Sequence, residues 1–413
     1  MNPRDDDVVV TGAGVVMPGS NDRATFWRRL AGQSSQITVE SFENGRRYPL
    51  GRCRPNGLTG SLNAGVQDRF ERLPRDIQLY AESLAGALED AGLARQDVIG
   101  ERAGIYSGSS RGPFLYWDGS YRDRLRREDD LTFGVPGQAS AFGALLTGVT
   151  GPVHTFSNSC CSGAVAMDFA SSDLLRDRVD IALVSGHEAT LCARFFSGFR
   201  EAGILAVPTP EPARLYRVYH QPSGVVFAEA AITLVCERRS TAVARGARIL
   251  GTFGGYAYGN HALHPTNVDP STDRPYELVQ QLFRQLGIGP SDVGFVIGHG
   301  NGVPASDLAE LTWMRRVFGD GVADVPLFSV KPVVGHSIGA SSTASFLASL
   351  QIAAAGHVPR LTNLDPGADD EFNFGGMDIP RANWKVGLSV SYGIGGHHAM
   401  MAVLRPDGEL EHD

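Results

Sequence analysis

The chain has 413 residues, 42% hydrophobic and 20% charged, which is the make-up of a globular protein with room for one large core or two fused ones. Its net charge of −8 argues against a general nucleic-acid binder, and the acidic start Asp5-Asp6-Asp7, with no apolar stretch behind a basic flank, shows no signal peptide. No apolar run is expected to cross a bilayer, so a cytoplasmic protein without membrane contact is expected. Five cysteines (Cys53, Cys160, Cys161, Cys192, Cys236) are an odd number without metal-ligand spacing, which disfavours both a disulfide framework and a metal site.

In chain order, Val8-Val9-Val10 opens a strand. The turn after it, Gly12-Ala13-Gly14, lacks the third glycine of a dinucleotide fingerprint, which would fall at Met17. Arg69, Arg72 and Arg75 lead into an amphipathic helix over residues 74–93, and residues 103–106 return to strand. Such alternation predicts an α/β protein. A second basic cluster, Arg122, Arg124, Arg126 and Arg127, follows. By composition, both clusters read as solvated faces beside acids such as Asp123 and Glu128.

An internal repeat is visible. The first helix ends in Gly92-Leu93, followed by Asp97-Val98, and a helix over residues 276–286 ends in Gly287-Ile288, followed by Asp292-Val293, at identical spacing. Residues 161–174 and 337–350 are both rich in Ala, Ser and Gly with apolar residues all round, as in helices buried between layers. A polar stretch at residues 241–246, after an apolar strand over 232–236, divides the chain into halves 1–242 and 243–413.

The chemistry concentrates at three places. In Ser157-Asn158-Ser159-Cys160-Cys161-Ser162-Gly163, a cysteine stands between a β-rich segment and a helix start. Free cysteines are most often structural, but first-turn N–H groups at such a place favour a thiolate and can hold an oxyanion. Residues 295–302 read as a strand delivering His299 onto a glycine-rich turn, and residues 330–336 are expected to deliver His336 in the same way. A single histidine so placed is commonly a hydrogen-bonded core residue. Two at analogous strand ends, together with a cysteine, point to a shared site.

These motifs resemble those of the β-ketoacyl synthases of the thiolase superfamily. Val10 to Val16 with Pro18 is similar to the family's opening strand and turn, and Cys160-Cys161-Ser162-Gly163 to its Cys-Ala-Ser/Thr-Gly nucleophile motif. His299 to Asp307 lines up with His-Gly-Thr-Gly-Thr-Pro-x-Gly-Asp, and Glu310 with the acidic residue after it. Lys331 to His336 resembles Lys-Ser-x-x-Gly-His, and Ser391 to Gly396 resembles Ser-Phe-Gly-Phe-Gly-Gly. The resemblance spans residues 7–405.

It implies a five-layered αβαβα thiolase-like fold, a homodimer or a heterodimer with a ketosynthase-like subunit, and decarboxylative condensation of acyl-carrier-protein thioesters. Cys160 would carry the acyl group, His299 and His336 would bind the malonyl thioester carbonyl, and Lys331 would orient the site with Asp307 and Glu310 as partners. The N–H groups of Cys160 and Ile394 would form the oxyanion hole beside Tyr392, Gly393 and Gly395. Arg69, Arg72, Arg124, Arg127 and Arg200 would receive the carrier. No cofactor is implied, since phosphopantetheine arrives on the carrier protein.

Departures from the pattern are specific. Asn301 and Val303 replace two threonines that contact the pantetheine arm and extender, Ile394 and Tyr392 replace gate aromatics, and His397-His398 replaces Thr-Asn. Adjacent histidines on a strand point to opposite faces and make a poor chelate, and His261 and His264 lack companion ligands. Two other readings stay open. One is a thiolase-fold acyltransferase to an oxygen or nitrogen nucleophile; the other is a non-catalytic chain-length subunit.

Overall fold

The computed structural model describes residues 4–58, 62, 70–119, 130–266, 268–365 and 371–406. Val8–Val16 (β1) is buried along its whole length. That demands small residues where a helix crosses it. A Cβ on Gly14 would lie 1.8 Å from the Ser83 carbonyl oxygen, and one on Gly12 would lie 2.6 Å from that of Ala87. Both glycines therefore admit Arg75–Asp90 (α1) onto the strand, which is a packing role and not a nucleotide turn.

The first half adds strands Ala103–Gly108 (β2), Val153–Phe156 (β3), Ile181–Glu188 (β4) and Ala230–Arg238 (β5). The second half contributes Gly251–Asn260 (β6), Val293–Ile297 (β7), Leu327–Phe328 (β8), Val386–Gly393 (β9) and His397–Leu404 (β10). They form one ten-stranded sheet in the order β3-β2-β4-β5-β1-β6-β10-β9-β7-β8. Read inward from either edge, each half has two parallel pairings and then two antiparallel ones. The halves meet through β1 and β6, paired at Val9 with Thr252 and Val10 with Gly251.

The layers follow the same symmetry. On one outer side α1 packs on β1 and β5, with Gln138–Thr147 (α2) against α1. Between the half-sheets lie Ser162–Leu175 (α3) and, from the second half, Ser341–Ala355; between them in chain order comes Ala193–Glu201 (α4). The other outer layer holds Arg274–Leu286 (α5) and Pro304–Phe318 (α6), so Ser341–Ala355 becomes α7. Five layers result, as the αβαβα expectation requires.

The repeat extends to backbone detail. Gly92 and Gly287 both have φ of 64°, Leu93 and Ile288 close their helices onto Leu88 and Phe283 oxygens, and Asp97 and Asp292 accept from the N–H groups of Ala94 and Gly289. Each central helix is preceded by a single 3₁₀ turn, Ser159–Cys161 or Ile338–Ala340, entered through a non-glycine residue with positive φ, 55° at Ser159 and 44° at Ile338.

Two expectations need correction. Residues 330–336 do not form a strand; Lys331–Val334 is one helical turn, and Gly335, at φ 87°, reverses the chain so that His336 faces back toward the first half. Ile338–Ala355 is also long and apolar enough to span a bilayer, contrary to the absence expected from sequence, but 89% of that window is buried inside the protein. A helix apolar on every side is explained here by its position between two half-sheets.

Candidate active site

Cys160 lies in the 3₁₀ turn ahead of α3, His299 follows β7, and His336 follows the Lys331–Val334 turn. The fold brings all three together. Cys160 Sγ is 3.1 Å from His336 Nε2, and the His299 and His336 rings are 5.3 Å apart at 88°. All three are buried, at 5%, 1% and 3% exposure respectively, so each titrates away from its charged form. Burial pushes the Cys160 thiol up to about 11, and burial, reinforced by the Lys331 charge, holds both imidazoles well below their usual range. Burial thus works against the thiolate expected at a helix start and outweighs the lowering by Ser159, Lys331 and Arg111. The resting pair is neutral thiol and neutral imidazole.

The His299 turn is held by its backbone. Glu310 on α6 accepts from the N–H groups of His299 at 2.7 Å and Gly300 at 2.9 Å, and Asp307 accepts from Asn301 at 3.1 Å and Gly302 at 3.2 Å. Lys331 Nζ donates to the His299 carbonyl. Among the described residues Lys331 forms no direct ion pair with Asp307 or Glu310; the two carboxylates cap the turn and act on Lys331 through charge. Burial lowers Lys331 to about 8, opposed by the charge of Glu310. Burial also raises Asp307 to about 7, against the backbone N–H groups of Tyr219, Gly302 and Asn301.

Sequence reasoning missed Tyr219. Its hydroxyl donates to Glu310 at 2.7 Å and its N–H to Asp307 at 2.7 Å, from a left-handed backbone at φ 61°. A Cβ on Gly298 or Gly300 would lie 2.0 or 2.6 Å from the Tyr219 hydroxyl. The glycines of the turn are thus fitted to this tyrosine. The unusual positive φ is visible only in the structure.

The remaining expected residues fall in three places. Tyr392, buried, sets its ring 5.4 Å from that of His299. Gly393 ends β9, where a Cβ on it would approach the Ser159 Cβ to 3.0 Å, and Ile394 and Gly395 lie in the turn to β10. The Asn301 side chain accepts from the Val303 N–H at 3.0 Å, so its carbonyl caps its own turn, and Val303 precedes α6. Cys161 donates to the Ser391 carbonyl at 3.3 Å in the core. A cavity of about 280 Å³ is lined by Val207, Thr209, Glu211, Arg214, Leu215, Arg217 and Ser223, none of them in the buried cluster.

Arg72 and Arg200 are exposed, away from the buried cluster. Arg69, Arg124 and Arg127 lie outside the described residues, as do Arg122 and Arg126. Arg75 is turned inward, 2.8 Å from Glu229. Among the described residues no three His, Cys, Asp or Glu side chains gather as a metal site would require.

A duplicated five-layer α/β fold with a buried Cys-His-His cluster at the junction of its halves defines a thiolase-fold protein. Residues 5–242 match the family model "Beta-ketoacyl synthase, N-terminal domain", and residues 250–365 match "Beta-ketoacyl synthase, C-terminal domain". The chain belongs to the β-ketoacyl synthase family. It is 26% identical over 417 residues to the tetracenomycin polyketide synthase ketoacyl synthase alpha subunit of Streptomyces glaucescens, covering 97% of each chain. It is 27% identical over 421 residues to 3-oxoacyl-(acyl-carrier-protein) synthase 2 of Rhizobium meliloti, covering 97% of this chain and 99% of the relative. A type II PKS ketosynthase, solved in complex with its acyl-carrier protein and bound to the hexaketide, superposes with a TM-score of 0.84 at 22% identity, covering 98% of this chain and all of that one. The ishigamide ketosynthase/chain length factor gives 0.80 at 23% identity, covering 97% and 99%.

Proposed function

We propose that the chain is a condensing enzyme that joins carrier-bound acyl and malonyl thioesters in the cytoplasm, in a type II polyketide or specialised fatty-acid pathway. The observation that carries this reading is the approach of Cys160 Sγ to His336 Nε2, with the His299 ring orthogonal beside it. In the loading step the Cys160 sulfur forms a bond to the acyl carbon, the bond to the carrier sulfur breaks, and the thiol proton ends on the departing carrier thiol. In the condensing step CO2 leaves the malonyl unit, and its electron pair forms the new carbon–carbon bond. The Cys160 thiolate then departs and takes up a proton. Neutral His299 and His336 each present an N–H to the enolate oxygen, and the N–H groups of Cys160 and Ile394 receive the oxyanion of the tetrahedral intermediate.

Lys331, through the His299 carbonyl, and Glu310 and Asp307, through the turn N–H groups, hold His299 in place. The phosphopantetheine arm would pass by Asn301 and Val303. Exposed Arg72 and Arg200, with Arg69, Arg124 and Arg127, would receive an acidic carrier. One relative is an alpha subunit and one structural neighbour is a ketosynthase/chain length factor, which supports a dimer, either with itself or with a ketosynthase-like subunit.

Intact-protein mass spectrometry after incubation with acyl-carrier thioesters, followed by malonyl-carrier protein, tests the reading. It requires a mass gain that Cys160→Ala abolishes, then discharge as a β-ketoacyl product with CO2 release. Loading without CO2 would indicate acyl transfer to another nucleophile, and no loading from any donor would indicate a non-catalytic subunit.

A further inference from the structure

Resting on that reading, the two halves of the oxyanion hole lie on separate segments: Cys160 on the loop entering α3 and Ile394 on the turn between β9 and β10. A two-donor hole works only if the distance between its donors is fixed. A chain of side chains not used above joins the two segments. Asn158 Nδ2, two residues before Cys160, donates to the Tyr258 hydroxyl at 3.1 Å, and that hydroxyl meets His397 Nδ1 at 2.5 Å. His397 is three residues after Ile394 and pairs in register with Gly393 across the hairpin.

The polarity of the chain follows from its first member. An amide nitrogen can only donate, so the Tyr258 oxygen accepts from Asn158 and its own O–H points to His397 Nδ1. That arrangement takes the neutral His397 with its proton on Nε2, in keeping with a pKa lowered by burial and then by the neighbouring His261. The Tyr258 and His397 rings stack at 5.9 Å and 21°, and Tyr256 stacks on the other side of Tyr258 at 6.1 Å and 8°, which leaves the hydroxyl little freedom to swing away.

Both ends of the chain are anchored. The Asn158 backbone N–H donates to Ser162 Oγ at 2.9 Å and its backbone carbonyl accepts from the Cys161 N–H at 3.1 Å, so the residue whose side chain meets Tyr258 also closes the 3₁₀ turn that contains Cys160. On the far side Asn260 Nδ2 donates to the Gly395 carbonyl at 2.5 Å, and the Gly395 N–H donates to the Pro265 carbonyl at 2.8 Å. The glycine-rich turn is thereby held from β6 on one side and tied to the nucleophile loop on the other.

We infer that Tyr258 and His397 are positioning residues that lock the glycine-rich turn to the nucleophile loop and so set the spacing of the two oxyanion donors. Neither touches the reacting atoms. His397, which the sequence marks as a departure from the family pattern, thereby acquires a role, while its neighbour His398 faces the core against Tyr392 at 4.7 Å.

Single-turnover acyl loading of Cys160, followed by intact mass in the full-length protein, tests this with Tyr258→Phe, His397→Ala, the double variant and His397→Asn. Either single change is expected to slow loading about tenfold, less than the ~10²-fold typical of deleting an oxyanion donor outright. The double variant should be no slower than the slower single one. His397→Asn, whose Oδ1 can stand in for Nδ1 as acceptor, should recover most of the rate, and all four should melt close to the parent. Wild-type rates in Tyr258→Phe, multiplicative losses in the double variant, or failure of asparagine to rescue would each overturn the inference. If the parent protein itself does not load, the proposed function fails, and in that case the exchange rate of the Tyr258 hydroxyl and the Nδ1 shift of labelled His397 still report whether the bond exists and is lost in Asn158→Ala.

Discussion

At the scale of single residues, the resting Cys160–His336 pair is uncharged where a thiolate–imidazolium pair would be the simplest way to activate a cysteine. With the thiol raised to about 11 by burial and His336 held well below its usual range, the reactive fraction at neutral pH is small. The alkylation rate of Cys160 by iodoacetamide should consequently keep climbing as pH is raised from about 6 to about 10. A plateau reached near neutrality would reveal a preformed ion pair and contradict the geometry's neutral reading. A second prediction concerns Tyr219. Tyr219→Phe keeps the ring against Gly298 and Gly300 but leaves Glu310 short of one donor, which should cost about 1–3 kcal/mol in denaturant unfolding and slow condensation by loosening His299. Unchanged unfolding and unchanged condensation together would remove Tyr219 from the site. Cys160, His299, His336 and Glu310 were legible because each sits inside a short motif. Tyr219 was not, because it reaches Glu310 from 91 positions away through a backbone conformation that no local pattern announces.

Elements were legible to the extent that they repeat. The Gly-apolar-Asp-Val signature at Gly92 and Gly287 marks the same helix ending in both halves, and the two small-residue helices proved to be the central layer. The Lys331–Val334 segment was misread because Val330, Val333 and Val334 are β-branched, which favours a strand locally, while burial of the turn between the halves decides otherwise. Small residues in the central layer are a steric requirement. A Cβ on Gly163 of α3 would fall 2.0 Å from Thr343 Oγ1 of α7, and one on Gly108 at the end of β2 would fall 2.4 Å from the Gly163 nitrogen. Gly163→Val should therefore push α3 off both neighbours, with overpacking costing about 1–3 kcal/mol or more and displacing Cys160 as well. The check is paired: a melting temperature near that of the parent, together with parental loading, would show that the crossing has slack. Gly163→Ala should lie between the two.

For the whole molecule, buried and surface carboxylates pull stability in opposite directions along the pH axis. Burial raises Asp76, Glu188 and Asp307 to about 7 in the folded protein, whereas in an unfolded chain such groups titrate near 4. Between those values the folded state keeps protons that the unfolded state has released, so their contribution is complete below about pH 4 and is lost as pH rises through about 7. Asp22, Asp177, Asp180, Asp292 and Glu371 are lowered by donors and cations, chiefly Arg102 for Asp177 and Asp180, and their contribution disappears only as pH falls below about 4. Lys331, depressed to about 8, adds stability only above that value and is charged in both states over the window concerned. Burial also lowers His187, His299, His336 and His398, which an unfolded chain protonates below about 6.5, so their contribution grows as pH rises through that value; greatest stability is expected near neutrality, with the melting temperature falling between about pH 7 and about pH 8. Asp76 isolates the cause, since it lies in the first turn of α1, is supported by backbone N–H groups of Ile77 and its own residue, and has no part in the proposed chemistry. Asp76→Asn removes the charge that must be buried at the higher pH while keeping the shape, so it should raise the melting temperature at about pH 8 and leave it nearly unchanged at about pH 5, the gain over the parent growing as pH rises through about 7. An Asp76→Asn variant whose melting temperature differs from the parent's by the same amount at about pH 5 and at about pH 8 would show that Asp76 is ionised in the fold and that the core pays no penalty for it.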